Sequence, residues 1–364
     1  MATLDPAQPK IALAPPDRAR VARTVETHLH VRAALIDLVA LPGDASNRCY
    51  FRLMLSGNRS VILMQLAEPE TFKQSEEAVS GAVAVTELPF LNVHRRLVKA
   101  GVTVPMLHYY DQEAGLLYLE DFGDALLVQA CDEGRSADTA RYYRRAIDML
   151  VRIHSKATSP ADDQCIAFHR AFDVPLLMWE FDHFLEYGVG ARHGKPMCAD
   201  DFRPVRDVFQ QIAELIAGQP RLFTHRDYHS RNLIVEGDRL GVIDFQDALM
   251  GPAAYDLASL LRDAYIVLEE SLVDALIAAY LDGMAKAGMD LGDRMAFRRV
   301  FDLTSLQRNL KAAGRFVYID RVKKNSKFLA DIPRVLGYVR RNLAKYPELF
   351  PLRKHLAPYV LELR

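Results

Sequence analysis

The sequence predicts an α+β chain of two lobes, a small antiparallel β-sheet followed by a mostly helical half. Its 364 residues exceed the roughly 100 to 200 of an ordinary single domain. Half of them are hydrophobic and 26% are charged, enough for a sizeable core, so a small stapled scaffold is excluded. Apolar residues recur with strand period in short runs before residue 121 and with helix period in long runs after it. Lys and Arg number 46 against 47 Asp and Glu, and the net charge of −1 removes the global electrostatic case for nucleic acid as a partner.

Residues 1–18 are rich in Pro and Ala without a usable period and read as a flexible leader. A helix is expected over 19–38, ending at the turn Leu41-Pro-Gly-Asp. Cys49-Tyr-Phe-Arg-Leu-Met-Leu and Ser60-Val-Ile-Leu-Met-Gln-Leu flank Ser56-Gly-Asn-Arg, which is hairpin chemistry. The spacing of Phe90, Val93 and Leu97 predicts a helix over 89–99 with Gly101 at its C-terminal end. A second hairpin follows from His108-Tyr-Tyr-Asp and Leu116-Leu-Tyr-Leu-Glu, and Asp121-Phe-Gly-Asp then breaks the pattern. That break places the lobe boundary, giving a nucleotide-binding lobe over 19–121 and a catalytic and acceptor-binding lobe over 122–364.

In the second half Tyr143, Ile147, Leu150, Val151 and His154 share one face of a helix over 137–156, which makes His154 a packed core histidine. Val205, Val208, Phe209, Ile212, Leu215 and Ile216 mark another helix, stopped by Gly218-Gln-Pro. Cys49, Cys131, Cys165 and Cys198 lie far apart with no CxxC pair, so neither a zinc site nor a disulfide framework is indicated. No apolar run reaches the roughly 18 residues that span a bilayer, and no signal peptide is seen at the N-terminus, so a cytoplasmic protein without a membrane partner is expected.

The chemistry concentrates in residues 222–247. Asn232-Leu-Ile-Val and Leu240-Gly-Val-Ile-Asp-Phe are strand-like runs about Glu236-Gly-Asp-Arg, and the hairpin they form brings Asn232 beside Asp244, with Asp227 in the loop just before. Oxygen donors converging in this way suit Mg²⁺, which takes few protein ligands together with substrate phosphates. His225-Arg226-Asp227 followed by Asn232 fits the H-R-D-x-x-x-x-N segment of kinases, and Asp244-Phe245-Gln246-Asp247 stands where D-F-G is found.

These residues resemble the aminoglycoside phosphotransferase family, the small-molecule branch of the protein-kinase-like fold, whose catalytic segment reads H-x-D-x-x-x-x-N followed by D-F or D-W. Gly251-Pro, Tyr255-Asp-Leu-Ala-Ser-Leu-Leu-Arg-Asp, Leu306-Gln-Arg-Asn-Leu-Lys and Asp331-Ile-Pro-Arg-Val extend the likeness toward the family's kinases of cell-wall amino sugars. The resemblance implies an ATP-dependent, Mg²⁺-requiring kinase. Asp227 would be the base, Asn232 and Asp244 the metal ligands, and Asp256 a brace of the catalytic loop. Gly43, Ser46, Asn47 and Arg48 would cover the phosphates, and Glu120 would mark where backbone meets adenine. His229, Arg231, Asp247, Glu180, Arg308 and Lys311 would border the acceptor. One departure stands out: Val61-Ile-Leu-Met64 puts methionine where kinases carry the phosphate-binding lysine. Arg48 or Arg52 is the expected replacement, with Arg48 preferred for its place in the phosphate loop.

Arg308, Lys311, Arg315, Arg321, Lys323, Lys324 and Lys327 face one acid, Asp320, which suits an anionic or neutral acceptor better than a polycation. Arg308 and Lys311 are the strongest candidates, being set in an otherwise apolar helix. Glu180 could bind sugar hydroxyls or belong to the polar face of a helix, the reading preferred for Asp182. The expectation is transfer to the anomeric hydroxyl of an N-acetylated amino sugar, N-acetylmuramate or N-acetylglucosamine, in cell-wall sugar recycling. The alternatives are a kinase of another small alcohol (aminoglycoside, choline or another sugar) and a non-catalytic kinase-like scaffold.

Overall fold

A computed structural model describes residues 14–29, 33–42, 48–66, 87–132 and 136–364. The chain divides into two units, Met1–Gln74 with Val104–Asp124, and Ser75–Thr103 with Ala125–Arg364. The helix over 89–99 thus falls in the second unit, where the sequence had grouped it with the sheet.

The first unit opens with α1 (Arg18–His28), whose first turn is capped by the Asp17 carboxylate accepting from Ala19 N. The helix ends ten residues short of the expected 38, and Leu35 to Leu38 of that stretch belong to the strand β1 (Leu35–Ala40). Leu35, Leu38 and Val39 fit either period, and pairing with the next strand decides the outcome. The two predicted hairpins form as β2 (Arg48–Leu55) with β3 (Arg59–Leu66) and, after α2 (Pro89–Lys99) of the other unit, β4 (Leu107–Asp111) with β5 (Leu116–Glu120). They join in one antiparallel sheet of order β1-β2-β3-β5-β4. Val21 and Val25 of α1 pack on Phe51, Leu53, Leu63 and Tyr118 of the sheet. Arg20 fastens the helix to β4 through Asp111, at 2.6 Å.

In the second unit Phe90, Val93 and Leu97 of α2 are buried as their spacing predicts, and Phe90 lies 4.9 Å from Phe245, ring centre to ring centre. Next come α3 (Leu127–Asp132) and α4 (Ser136–Arg152), the latter running into a π-helical turn, Ile153–Ala157. A second π-helical segment, Phe184–Ala191, extends α5 (Val174–His183) before α6 (Ala199–Ala217). Four short strands follow: β6 (Arg221–Thr224), β7 (Leu233–Glu236), β8 (Arg239–Val242) and β9 (Leu249–Pro252). The β7–β8 hairpin pairs Leu233 with Val242 and Ile234 with Gly241, while β6 pairs with β9 and returns the chain to the same place.

The rest is helical: α7 (Ala253–Leu261), α8 (Glu270–Lys286), α9 (Arg294–Arg321), α10 (Ile332–Lys345) and α11 (Phe350–Leu356). Leu306, Leu310, Ala313 and Val317 of α9 sit in the middle of the core with Phe181, Phe209, Val335 and Leu352 around them. Among the described residues no helix is long and apolar enough to cross a membrane.

Candidate active site

The loop between β6 and β7 carries His225-Arg226-Asp227, and two buried carboxylates hold its backbone. Asp256, wholly buried on α7, accepts from His225 N at 2.6 Å and Arg226 N at 2.9 Å. Arg226 has φ 81°, a conformation an L-residue adopts at a cost unless its surroundings fix it. His154 is a core histidine, as its helical face predicted, and spans Tyr280 OH (2.6 Å) and Asp256 Oδ2 (3.2 Å). Asp263 holds the loop further along, accepting from Ser230 N at 2.8 Å. The sequence reading passed over Asp263. The Tyr255-to-Asp263 stretch ends on that acid, but Asp263 lies past the end of α7, so no helical period marks it.

Between these anchors the predicted hairpin register brings Asn232 to Ile243, whose N–H it accepts at 3.0 Å, with Asp244 the next residue. Asn232 Nδ2 donates to the Asp227 carbonyl at 2.9 Å, which fixes the amide so that its oxygen faces away from that bond. Asp244 is exposed, adopts φ 63°, and takes one hydrogen bond from Gln246 Nε2 at 2.8 Å, leaving its second carboxylate oxygen for another partner. No cluster of three His, Cys, Asp or Glu among the described residues could hold a metal. An amide oxygen and one carboxylate fit a hard cation that also takes phosphate oxygens, and do not form a full protein cage.

Asp227 keeps 40% of its side chain exposed, and Arg308 approaches its Oδ1 to 3.4 Å. Desolvation pushes the carboxyl upward, but Lys311, Arg308, His229 and Arg226 outweigh it and hold the group well below the usual carboxylate range. His229 is lowered by burial against the opposing pull of Asp263 and Asp227, which favours a neutral ring near pH 7. Its Nδ1 accepts from Arg231 N at 3.3 Å, and the Arg231 guanidinium stacks 3.7 Å above the Tyr265 ring.

Of the residues expected from the sequence to border the acceptor, Arg308, Lys311 and His229 lie around Asp227, and Glu180 calls for a correction. Glu180 has no face open to a sugar, being wholly buried on α5 between Gln307 Nε2 (2.7 Å) and Lys311 Nζ (2.8 Å), with Arg226 at 3.7 Å. Its buried carboxylate offsets part of the charge of these two cations. Lys311 also reaches Tyr255 OH at 3.4 Å, and the buried Nε of Arg308 has no hydrogen-bond partner among the described residues. Asp182 is paired with Arg206 at 2.9 Å on the helix surface, and half-buried Asp247 opposes the burial that lowers the pKa of Arg170.

Gly43, Ser46 and Asn47 lie outside the described residues, whereas Arg48 and Glu120 belong to the first unit. Arg48 opens β2, and Glu120 ends β5 with its Oε2 accepting from Met106 N at 3.1 Å. Met64 is fully buried in the sheet between Tyr50 and Leu117. Arg52 is committed to Asp121 at 2.7 Å and Asp124 at 2.8 Å.

The chain is 31% identical over 319 residues to the N-acetylmuramate/N-acetylglucosamine kinase of Neisseria meningitidis, a match covering 87% of this chain and 88% of that protein. It is 30% identical to the kinase of the same name in Pseudomonas putida, over 88% of this chain and 87% of that one. Among solved structures, a choline kinase from Cryptosporidium parvum superposes with a TM-score of 0.60 at 12% identity, covering 92% of this chain and 98% of that one. An ADP-bound aminoglycoside phosphotransferase does so at 0.55 and 14%, covering 88% and 98%. These distant likenesses establish the protein-kinase-like fold. The model of the phosphotransferase enzyme family matches residues 37–289, more than half of the chain, and the protein belongs to that family.

Proposed function

We propose that this chain transfers the γ-phosphoryl group of ATP to the anomeric hydroxyl of N-acetylmuramate or N-acetylglucosamine. The observation that carries the acceptor class is the pairing of Arg308 with the half-exposed Asp227 carboxylate, with Lys311 close behind it. A cationic acceptor would meet these side chains as like charges, whereas a carboxylate or acetamido oxygen could complete the unpartnered Nε of Arg308. The amino-sugar kinases that match along most of their length support the same reading.

In the transfer the acceptor oxygen forms a bond to the γ-phosphorus as the bond to the β,γ-bridging oxygen breaks. ADP leaves, and the hydroxyl proton passes to Asp227 Oδ. A carboxyl held so low is a weak base, so Asp227 orients the hydroxyl and takes the proton only as transfer proceeds. The anomeric hydroxyl is more acidic than the other hydroxyls of a sugar, which suits a weak base. Asn232 and Asp244 would hold Mg²⁺, which supplies positive charge to the phosphates. Arg48 is the proposed cation in place of the strand lysine, since Arg52 is taken up by Asp121 and Asp124. Incubation with Mg-ATP and a panel of acceptors tests the reading. ADP should be released with the two N-acetylated sugars and not with choline or kanamycin, and release with the cations alone would refute it.

A further inference from the structure

A concave cavity of about 790 Å³ in the second unit is bordered by Arg96, Lys99, Arg152, Lys156 and Lys286, with Asp148 the acid among its lining residues. The C-terminal ends of α2 and α8 and the π-helical turn after α4 converge on it, so backbone carbonyls contribute partial negative charge. The two arginines answer that charge. Arg96 Nε donates to Ala157 O at 2.8 Å, and Arg152 Nη1 donates to Gly101 O at 2.8 Å. Lys99, Lys156 and Lys286 lie in the last turns of those same segments and make no hydrogen bond or ion pair among the described residues.

Three exposed ammonium groups and two arginines on one lining, with Asp148 as the acid among them, leave a surplus of positive charge that an anion would offset. The wall that carries them is firmly built. Gly283 of α8 sits so close to α4 that a Cβ there would come within 2.8 Å of Val151, and buried Arg96 anchors the base. From this placement we propose that the cavity is a binding site for a small polyanion bearing phosphoryl groups, distinct from the site at Asp227. Lys99, Lys156 and Lys286 would contact its oxygens, and Ser159 lies on the same lining to donate a hydroxyl hydrogen bond.

Calorimetric titration with inorganic pyrophosphate, on protein saturated with Mg-ADP, tests the site. Wild type should bind one pyrophosphate, more weakly as salt is raised. The triple variant Lys99→Gln, Lys156→Gln, Lys286→Gln should bind about eight- to a hundredfold more weakly, roughly a two- to fivefold loss per lysine. Its unfolding midpoint should match wild type, because all three side chains are exposed. Absence of binding in wild type, or equal affinity in the triple variant, overturns the proposal, and neither result bears on phosphoryl transfer at Asp227.

Discussion

Single side chains carry the sharpest expectations. Asp227→Asn should leave Mg-ATP binding intact by calorimetry while turnover falls by about 10² to 10⁴, the range for loss of a positioned proton acceptor. Arg308→Ala should raise the Michaelis constant for the sugar. It should also move the acid limb of the pH–rate profile upward, because Arg308 is one of the cations that depress Asp227. Asp256→Ala orphans two buried N–H groups, at about 1 to 3 kcal/mol each, and should lower both the urea midpoint and turnover. The closeness of Asn232 to Asp244 was legible from spacing, because a hairpin centred near residue 237 has one register that buries its apolar residues, whereas the roles expected of Asp227, Asn232 and Asp244 came from the family resemblance. Glu180 was harder to place. Its sequence neighbours mark a helix, but the Gln307 and Lys311 partners that bury it come from a helix about 130 residues away.

At the scale of elements, local pattern served well where one period was consistent and poorly where two were compatible. The helix at 89–99 and the hairpins folded as their spacing demands. β1 was read as helix because the sequence alone does not show that β2 offers it an edge. Nor does any local signal announce the close approach at Gly314 on α9, where a Cβ would meet the Phe184 backbone at 2.8 Å. Gly314→Ala should therefore cost about 1 to 3 kcal/mol in urea unfolding, since backbone cannot move aside as a flexible side chain can.

Asp201, in the first turn of α6, is lowered to about 2 by His355 first, then by Tyr359 and Cys198. A depressed carboxyl stabilises the fold above its unfolded value near 3.8, and that contribution is lost as pH falls toward 2. The difference in unfolding midpoint between wild type and Asp201→Asn should accordingly shrink as pH is lowered through that window.

Across the whole molecule the net charge of −1 conceals a separation of sign. Asp256 and Asp263 anchor the loop that carries Asp227, while Arg308 stands beside that carboxylate and Lys311 beside Glu180. The family and its fold were legible because the phosphoryl-transfer residues are ordered along the chain. Acceptor choice was less so, because it depends on which cations remain open after burial has paired the others. The central claim is the oxygen that receives phosphate, and phosphorus NMR of the product made from N-acetylmuramate and Mg-ATP tests it most directly. The account predicts a phosphate monoester whose phosphorus couples to the anomeric proton; a phosphorus coupled to the C6 methylene protons, or no ester formed, would contradict it.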